Sequence, residues 1–328
     1  LAILLLASAP TLAADTPPPA PPSKILGLIG EYDAGETTLY ILEDGGQLVA
    51  RRRGSAPCPL TEVAADSYTF GDVGPFARKP IAFRRDPAGR ATAAIVGGES
   101  FPRRALDGEG GKTFRIKPVR AVEEIRKEVV GLAPPPETGK KPPELVDLLD
   151  VVPGVKLDVR YATSNNFLGT PLYTSARALM QRPAAEALAK VQAGLKAEGY
   201  GLLIHDAYRP WRVTKLFWEA TPPAQHTFVA DPAKGSKHNR GCAVDLTLCD
   251  LATGLPIEMV GGYDEFSDRS YPEYPGGTTR QRWHRDRLRR AMEAEGFTVN
   301  EAEWWHFDFR AWRDYPILDV PFEALPPR

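Results

Sequence analysis

Two stretches far apart in the chain each set an imidazole and a carboxylate among bulky apolar residues. In "SKHNRGCAVDL" (236–246), His238 follows a Gly-Ser turn and Asp245 stands seven residues on, beside Val244 and Leu246. In "EWWHF" (303–307), Glu303 and His306 bracket two tryptophans. A carboxylate inside an apolar strand is costly unless a cation, a metal or a set of donors meets it. Two histidines and one aspartate make a three-donor set for zinc, with a fourth position left for water. Glu303 would then be a free carboxylate beside that water, so the stretches together carry the equipment of a metallohydrolase. The H-E-x-x-H helix motif is absent, which excludes that class of zinc protease. The competing reading of Asp245 is an ion pair with a nearby arginine.

A third stretch, "HDAYRP" (205–210), ends a strand-like run and sets Arg209 in a loop. In a cleft, its fixed fork of donors would suit an oxyanion or a carboxylate. The other three of the five histidines have no partner at ligand spacing. His205 reads as a satisfied strand histidine, His226 as a solvated loop residue and His284 as an exposed residue of an arginine-rich helix.

The elements that must position these residues are legible from pattern. "GVKLDVRYAT" (154–163) alternates like a strand, and "YGLLIHD" is a second strand running into a loop that Pro210 stops. "RPAAEALAKVQAGLKAEG" is a helix, with Pro183 in its first turn, Leu188, Val191 and Leu195 on one face and Gly199 at its end. "RQRWHRDRLRRAMEAEG" is another, with Trp283, Leu288 and Met292 inward. "AEWWHFDF" is strand-like. Glu303 and His306 are three apart, hence on opposite faces of a regular strand; the chain must kink for both to face one metal.

Upstream, residues 23–116 read as β structure, with hairpin turns at Asp44-Gly45-Gly46 and Pro87-Ala88-Gly89. "VRAVEEIRKEVV" is a helix, and "GLAPPPETGKKPPE" is a Pro-rich linker of the extended kind. The predicted domains are 23–116, a small all-β module; 117–143, helix and linker; and 144–328, an α+β domain carrying every candidate site residue. Arg51-Arg52-Arg53 reads as a solvated strand end. The module's glycine and aromatic pattern loosely resembles the lipocalin-like modules appended to some secreted hydrolases.

The 328 residues are 25% charged with a formal net charge of −1, so no global attraction to nucleic acid or an anionic membrane is expected. Residues 1–22 combine a short apolar run, Leu1–Ala9, with small residues at Thr11, Ala13 and Ala14 and a proline-rich tail. This is the pattern of a signal peptide, predicting an exported protein, periplasmic or secreted, without a membrane span after its removal. Of the three cysteines, Cys242 and Cys249 would stand roughly 23 Å apart on a straight strand, too far for a disulfide. Buried free thiols, Cys58 included, are expected.

"DAYRP", "SKHNRGCAVDLTL" and "EWWHF", in this order, resemble the zinc-dependent D-alanyl-D-alanine dipeptidases. That is the family of the vancomycin-resistance dipeptidase, within the wider group of D-Ala-D-Ala carboxypeptidases and hedgehog-type domains. "LVDLLDVVPGVKLDVRYATSNNFLG" and "YDEFSDRSYPEY" extend the resemblance over about 144–320. It implies a central antiparallel sheet with flanking helices and one Zn²⁺ per catalytic domain, bound by His238, Asp245 and His306. It implies Glu303 as general base, Arg209 as stabiliser of the tetrahedral oxyanion, Asp264 for the substrate ammonium and Ser236 for its carboxylate. The implied substrate is a small D,D-dipeptide. The alternatives are a D,D- or L,D-carboxypeptidase acting on longer peptidoglycan peptides, with the β module as an anchor, and a non-catalytic metal-binding module. The presence of Glu303 and Arg209 argues against the last.

Overall fold

The structure is a computed structural model that describes residues 16–325; the apolar run Leu1–Ala9 lies outside them. After a short helix α1 (Ser23–Leu26), eight strands follow in hairpin succession: β1 (Gly30–Ala34), β2 (Thr37–Asp44), β3 (Gln47–Arg52), β4 (Cys58–Ala64), β5 (Ser67–Phe70), β6 (Pro80–Arg85), β7 (Ala91–Val96) and β8 (Glu99–Pro102). Each pairs antiparallel with the next. The ends of this meander meet through a bridge between Tyr32 and Arg103, and the Arg104 N–H donates to the Glu31 carbonyl at 2.8 Å. One face is apolar, with Leu39, Ile41, Phe83 and Phe101 in a shared core, as alternation along each strand dictates.

Helix α2 (Val122–Val129) follows. It does not stand apart as linker: Ile125 and Val129 are buried in a core with Leu216 and Phe217. The proline-rich stretch after it is tied down as well, since Glu137 pairs with the buried Arg240 at 2.9 Å and Lys141 with Asp314 at 2.7 Å.

The remaining elements are β9 (Leu145–Asp147), α3 (Leu148–Val151), β10 (Lys156–Leu157), β11 (Leu179–Gln181), α4 (Arg182–Lys196), β12 (Tyr200–Asp206), α5 (Trp211–Ala220), β13 (Ala243–Asp250), α6 (Thr279–Ala294), β14 (Phe297–Asn300) and β15 (Glu303–Phe309). Five strands form a sheet in the order β10-β12-β13-β15-β14. It is antiparallel except at its edge, where β10 runs parallel to β12. The strand expected over "GVKLDVRYAT" is thus only two residues long, and the chain turns into a 3-10 helix at Arg160–Ala162. Helix α5 was not expected. Pro210 does not stop the chain but supplies the N-cap residue of that helix, where a missing N–H costs nothing.

Leu188, Val191 and Leu195 of α4 and Leu288 and Met292 of α6 share one core with Leu202, Ile204, Val244, Leu246 and Phe307. These helices therefore cover one face of the sheet, and residues of opposite parity, His205, Asp245 and His306, point to the other. The three cysteines are buried and free.

His284 departs from expectation. It is buried at 4% exposure, its Nε2 lies 3.2 Å from the Tyr200 hydroxyl, and burial pushes its imidazole down to about 4. An unfolded chain protonates this ring near 6.5 while the native state refuses the proton. Stability is therefore unaffected above that pH and falls as the pH drops from 6.5 towards 4. In acid-unfolding titrations, His284→Gln should retain up to about 3 kcal/mol that the parent loses over this window. His226 is half-buried rather than solvated, its ring 3.8 Å from that of Trp218.

Candidate active site and metal centre

Register builds the centre of the site. Asp245 on β13 lies directly opposite His306 on β15, and Asp206 at the end of β12 lies opposite Asp245. Three ionisable residues thus form one row across three strands. The β12–β13 register shifts between Ile204 and Asp206, a bulge that re-aims the strand end at the site. A second irregularity answers the parity problem of Glu303: Val299 pairs with Phe307 but Asn300 pairs with Glu303. Across this break Trp304 and Trp305 both bury into the core, and the Glu303 carboxylate comes to 3.5 Å from His306 Nδ1.

His238 arrives from outside the sheet, on a 3-10 turn at His238–Arg240 ended by Gly241 at φ +65°. A Cβ at Gly241 would stand 2.5 Å from Leu145 and 3.3 Å from the Gln181 nitrogen, so a side chain would push the turn away. Asn239 fastens the turn by accepting from the Ser236 N–H at 2.7 Å and donating to the Arg209 carbonyl and the Thr214 hydroxyl.

His238 Nε2, Asp245 Oδ1 and His306 Nδ1 face one another at 3.1–3.2 Å. The far nitrogens set the tautomers. His238 Nδ1–H donates to the Ala207 carbonyl at 2.6 Å, and His306 Nε2–H to Asp308 Oδ1 at 2.9 Å. Two ring lone pairs and a carboxylate oxygen therefore converge, and Asp245 Oδ1 is buried without a hydrogen bond of acceptable geometry. Such an arrangement is repulsive unless a cation sits within it. Burial alone would lower His306, yet Asp308 and Asp245 override it and push the ring up to about 10; the site takes a proton if it has nothing better. The donor types, their number and the backing of each imidazole by a carboxylate or carbonyl fit zinc. Asp308 is held in turn by Lys237 at 3.2 Å.

Arg209 is buried, and Asp206 Oδ2 accepts from its Nε and Nη2 at 2.9 and 2.8 Å, while Tyr173 donates to Asp206 Oδ1. The Arg209 guanidinium lies over the Tyr161 and Phe217 rings, and the same Nη2 stands 3.5 Å from Asp245 Oδ2. Asp245 thus faces an arginine and keeps its place in the donor set. Burial raises the Glu303 carboxyl, to about 7, the range of a useful base; a cation among the three donors would draw it back down. Asn300 Nδ2 donates to Glu303 Oε2 at 3.3 Å.

All seven sequence-predicted residues line one cavity of about 180 Å³. Asp264 sits in it at φ +55°, buried, with the Tyr161 hydroxyl donating to its Oδ2 at 2.8 Å. Burial, then the charge of Asp245, holds its carboxyl well above the usual range. Ser236 Oγ accepts from the His238 N–H at 3.2 Å. Aromatic rings of Phe167, Phe217, Phe228 and Phe266 form the apolar wall.

The sequence profile described as D-ala-D-ala dipeptidase, of the M15 peptidases, matches residues 141–319. The chain belongs to this dipeptidase family. The D-alanyl-D-alanine dipeptidase of Escherichia coli (strain K12) is 37% identical over 182 residues, 56% of this chain and 93% of that one. Its counterpart in Enterococcus faecium is 34% identical over 51% and 95%, and that of Enterococcus faecalis (strain ATCC 700802 / V583) 32% over 53% and 91%. A solved LD-carboxypeptidase aligns at 17% identity and a TM-score of 0.31, over 53% of this chain and 72% of its own, too slight a likeness to argue from.

Several residues at this family site were not singled out from sequence. Asp206, three residues before Arg209, could have been found as its ion-pair partner within "HDAYRP". Asp308 alternates with His306 on one face of β15, which is also a readable signal. Tyr161, Tyr263 and Asn300 carry none, because each reaches the site from a different segment: the 3-10 helix Arg160–Ala162, the loop that follows β13 and the end of β14. Tyr263 donates to Asp245 Oδ2 at 3.2 Å and stacks on His205 at 4.6 Å.

Proposed function

We propose that this chain hydrolyses D-alanyl-D-alanine to two D-alanines, using one zinc ion held by His238, Asp245 and His306. The observation that carries the reading is the convergence of three buried lone-pair donors at one cavity with a separate buried carboxylate, in a member of the dipeptidase family. Zinc, when bound, supplies a nucleophile at neutral pH by lowering the pKa of water to about 7 and polarises the peptide carbonyl.

The protein's own groups do the rest. Glu303 takes the proton of the attacking water and passes it to the leaving amine. Arg209, fixed by Asp206, donates to the carbonyl oxygen as it becomes negative, a contribution of about 3 kcal/mol for a well-placed donor. Asp264 meets the substrate ammonium, which supplies the cation its buried carboxyl lacks. Ser236 Oγ donates to the substrate carboxylate. Five carboxylates, Asp206, Asp245, Asp264, Glu303 and Asp308, face two basic side chains, Arg209 and Lys237, around the cavity. That excess favours a divalent ion plus an ammonium.

The cavity, at about 180 Å³, lies below the roughly 300 Å³ at which drug-sized ligand pockets begin, which supports a very small substrate. A chain-length comparison tests this. Alanine release from D-Ala-D-Ala should exceed release from a pentapeptide stem by at least about 100-fold in kcat/KM, because the longer peptide leaves Asp264 buried without an ammonium. Equal rates would overturn the strict dipeptidase.

The division into a β module (23–116), a connecting stretch (117–143) and a catalytic domain (144–328) belongs to the same reading, as does action outside the cytoplasm, supported by the composition of residues 1–22. No helix among the described residues is long and apolar enough to cross a membrane.

A further inference from the structure

The loop 261–274 carries two groups of the site, Tyr263 on the Asp245 carboxylate and Asp264 at the cavity wall. It has little regular structure, a single 3-10 turn at Asp268–Ser270, and it holds Asp264 at a φ that costs a non-glycine residue energy. Something must hold such a loop in place. Part of the support is internal: the fully buried Glu265 accepts from the Gly262 N–H at 2.8 Å and the Ser267 hydroxyl at 2.7 Å.

The rest comes from the eight-stranded sheet and the segment that leaves it. Tyr274 donates to Glu31 of β1 at 2.8 Å, and both are buried. Tyr40 of β2 donates to Asp268 at 3.1 Å, and Arg53 pairs with the same carboxylate. The Tyr40 and Tyr274 rings meet edge-on at 6.1 Å. Just beyond the loop, Glu43 of β2 accepts from the Thr279 N–H at 2.8 Å, at the positive end of α6. On the cavity side, Phe114 packs on Phe266 at 5.3 Å, and Phe266 stacks on Phe228 of the cavity wall at 4.9 Å. The exposed pair Arg53–Asp268 contributes little; the buried hydroxyl–carboxylate bond and the ring contacts are the substantial ones.

We infer that the eight-stranded module is a brace for the substrate loop: through Glu31, Tyr40 and Phe114 it positions Asp264 and Tyr263, and so sets the affinity for the substrate's ammonium end. This reading differs from an anchor, which would need a free outer surface and no grip on the site. The match to the three relatives takes up 91–95% of their length, which leaves them no room for eight further strands, so the device belongs to this chain. The kinetic part rests on the proposed dipeptidase activity.

The test is the double variant Tyr40→Phe/Tyr274→Phe in the full chain, which deletes both hydroxyls and keeps both rings, with Phe114→Leu beside it. KM for D-Ala-D-Ala should rise about tenfold while kcat stays within about threefold, zinc content stays at the parent's level, and amide exchange quickens across 261–274 but not across β12, β13 and β15. A role confined to general stability would lower the active fraction and the melting temperature with KM unchanged. Unchanged KM and unchanged loop exchange in both variants overturn the brace. If the parent protein fails to split D-Ala-D-Ala, the proposed function falls, and the exchange measurement still decides the brace: faster exchange confined to the loop supports it, uniform exchange removes it.

Discussion

Glu303→Ala should keep its zinc and lose turnover by about 10³-fold, within the range removed with a general base. The two halves of this result have separate structural causes. The three converging donors do not include Glu303, whose Oε2 lies 3.5 Å from His306 Nδ1 and is steadied by Asn300, so metal binding survives its removal. The neighbouring carboxylates are otherwise engaged: Asp264 accepts from the Tyr161 hydroxyl and is assigned to the substrate ammonium, and Asp206 is occupied by Arg209 and Tyr173. Metal analysis beside a D-Ala-D-Ala turnover assay gives both numbers on one preparation. Full activity would remove Glu303 as the base, and loss of zinc would make it a ligand instead. Stability supplies an independent sign. A carboxyl raised in the native state holds its proton to higher pH than the unfolded chain does, so it costs stability once the pH passes the unfolded value. The metal-free variant should be at least as stable as the metal-free parent at pH 8.

Asp245→Ala should have the opposite signature, with zinc and activity lost together. Asp245 is the only carboxylate of the three-donor set, and it stands between both histidines and Arg209. Its loss should weaken zinc binding by more than the roughly 10–100-fold that accompanies loss of an outer partner. Asp308→Asn, which alters only the partner of His306 Nε2, gives that smaller effect for comparison. Zinc titration against a competing chelator orders the three proteins without recourse to turnover. An Asp245→Ala protein that bound zinc like its parent would show that the donor set lies elsewhere.

The cavity wall and the brace together bear on why a small hydrolase would carry eight additional strands. Tyr40 belongs to the same core as Leu188 and Phe307, and Glu43 meets the first turn of α6. The sheet and the site are therefore packed into each other, and substrate affinity can depend on residues more than 200 positions away in the chain.

Local pattern in the sequence was sufficient for the donor types, the hairpins of the β module, helices α4 and α6 and the strand character of β12 and β15. These rest on alternation, helical spacing and turn residues, which are properties of neighbours along the chain. The motifs "DAYRP", "SKHNRGCAVDLTL" and "EWWHF" were sufficient for the family, and residues 141–319 match it. Pattern misread Pro210 as a stop rather than an entry to α5, and it placed His284 on the surface because its neighbours are arginines. The decisive geometry was not local. Whether Asp206, Asp245 and His306 form one row depends on the register of three strands drawn from distant parts of the chain. Whether Glu303 joins them depends on an irregularity fixed by where Trp304 and Trp305 find room in the core. Which residues hold the loop of Asp264 depends on a sheet that closes some 160 positions earlier. Register, bulge and docking are each settled by what must be buried against what, and only the folded chain contains that information.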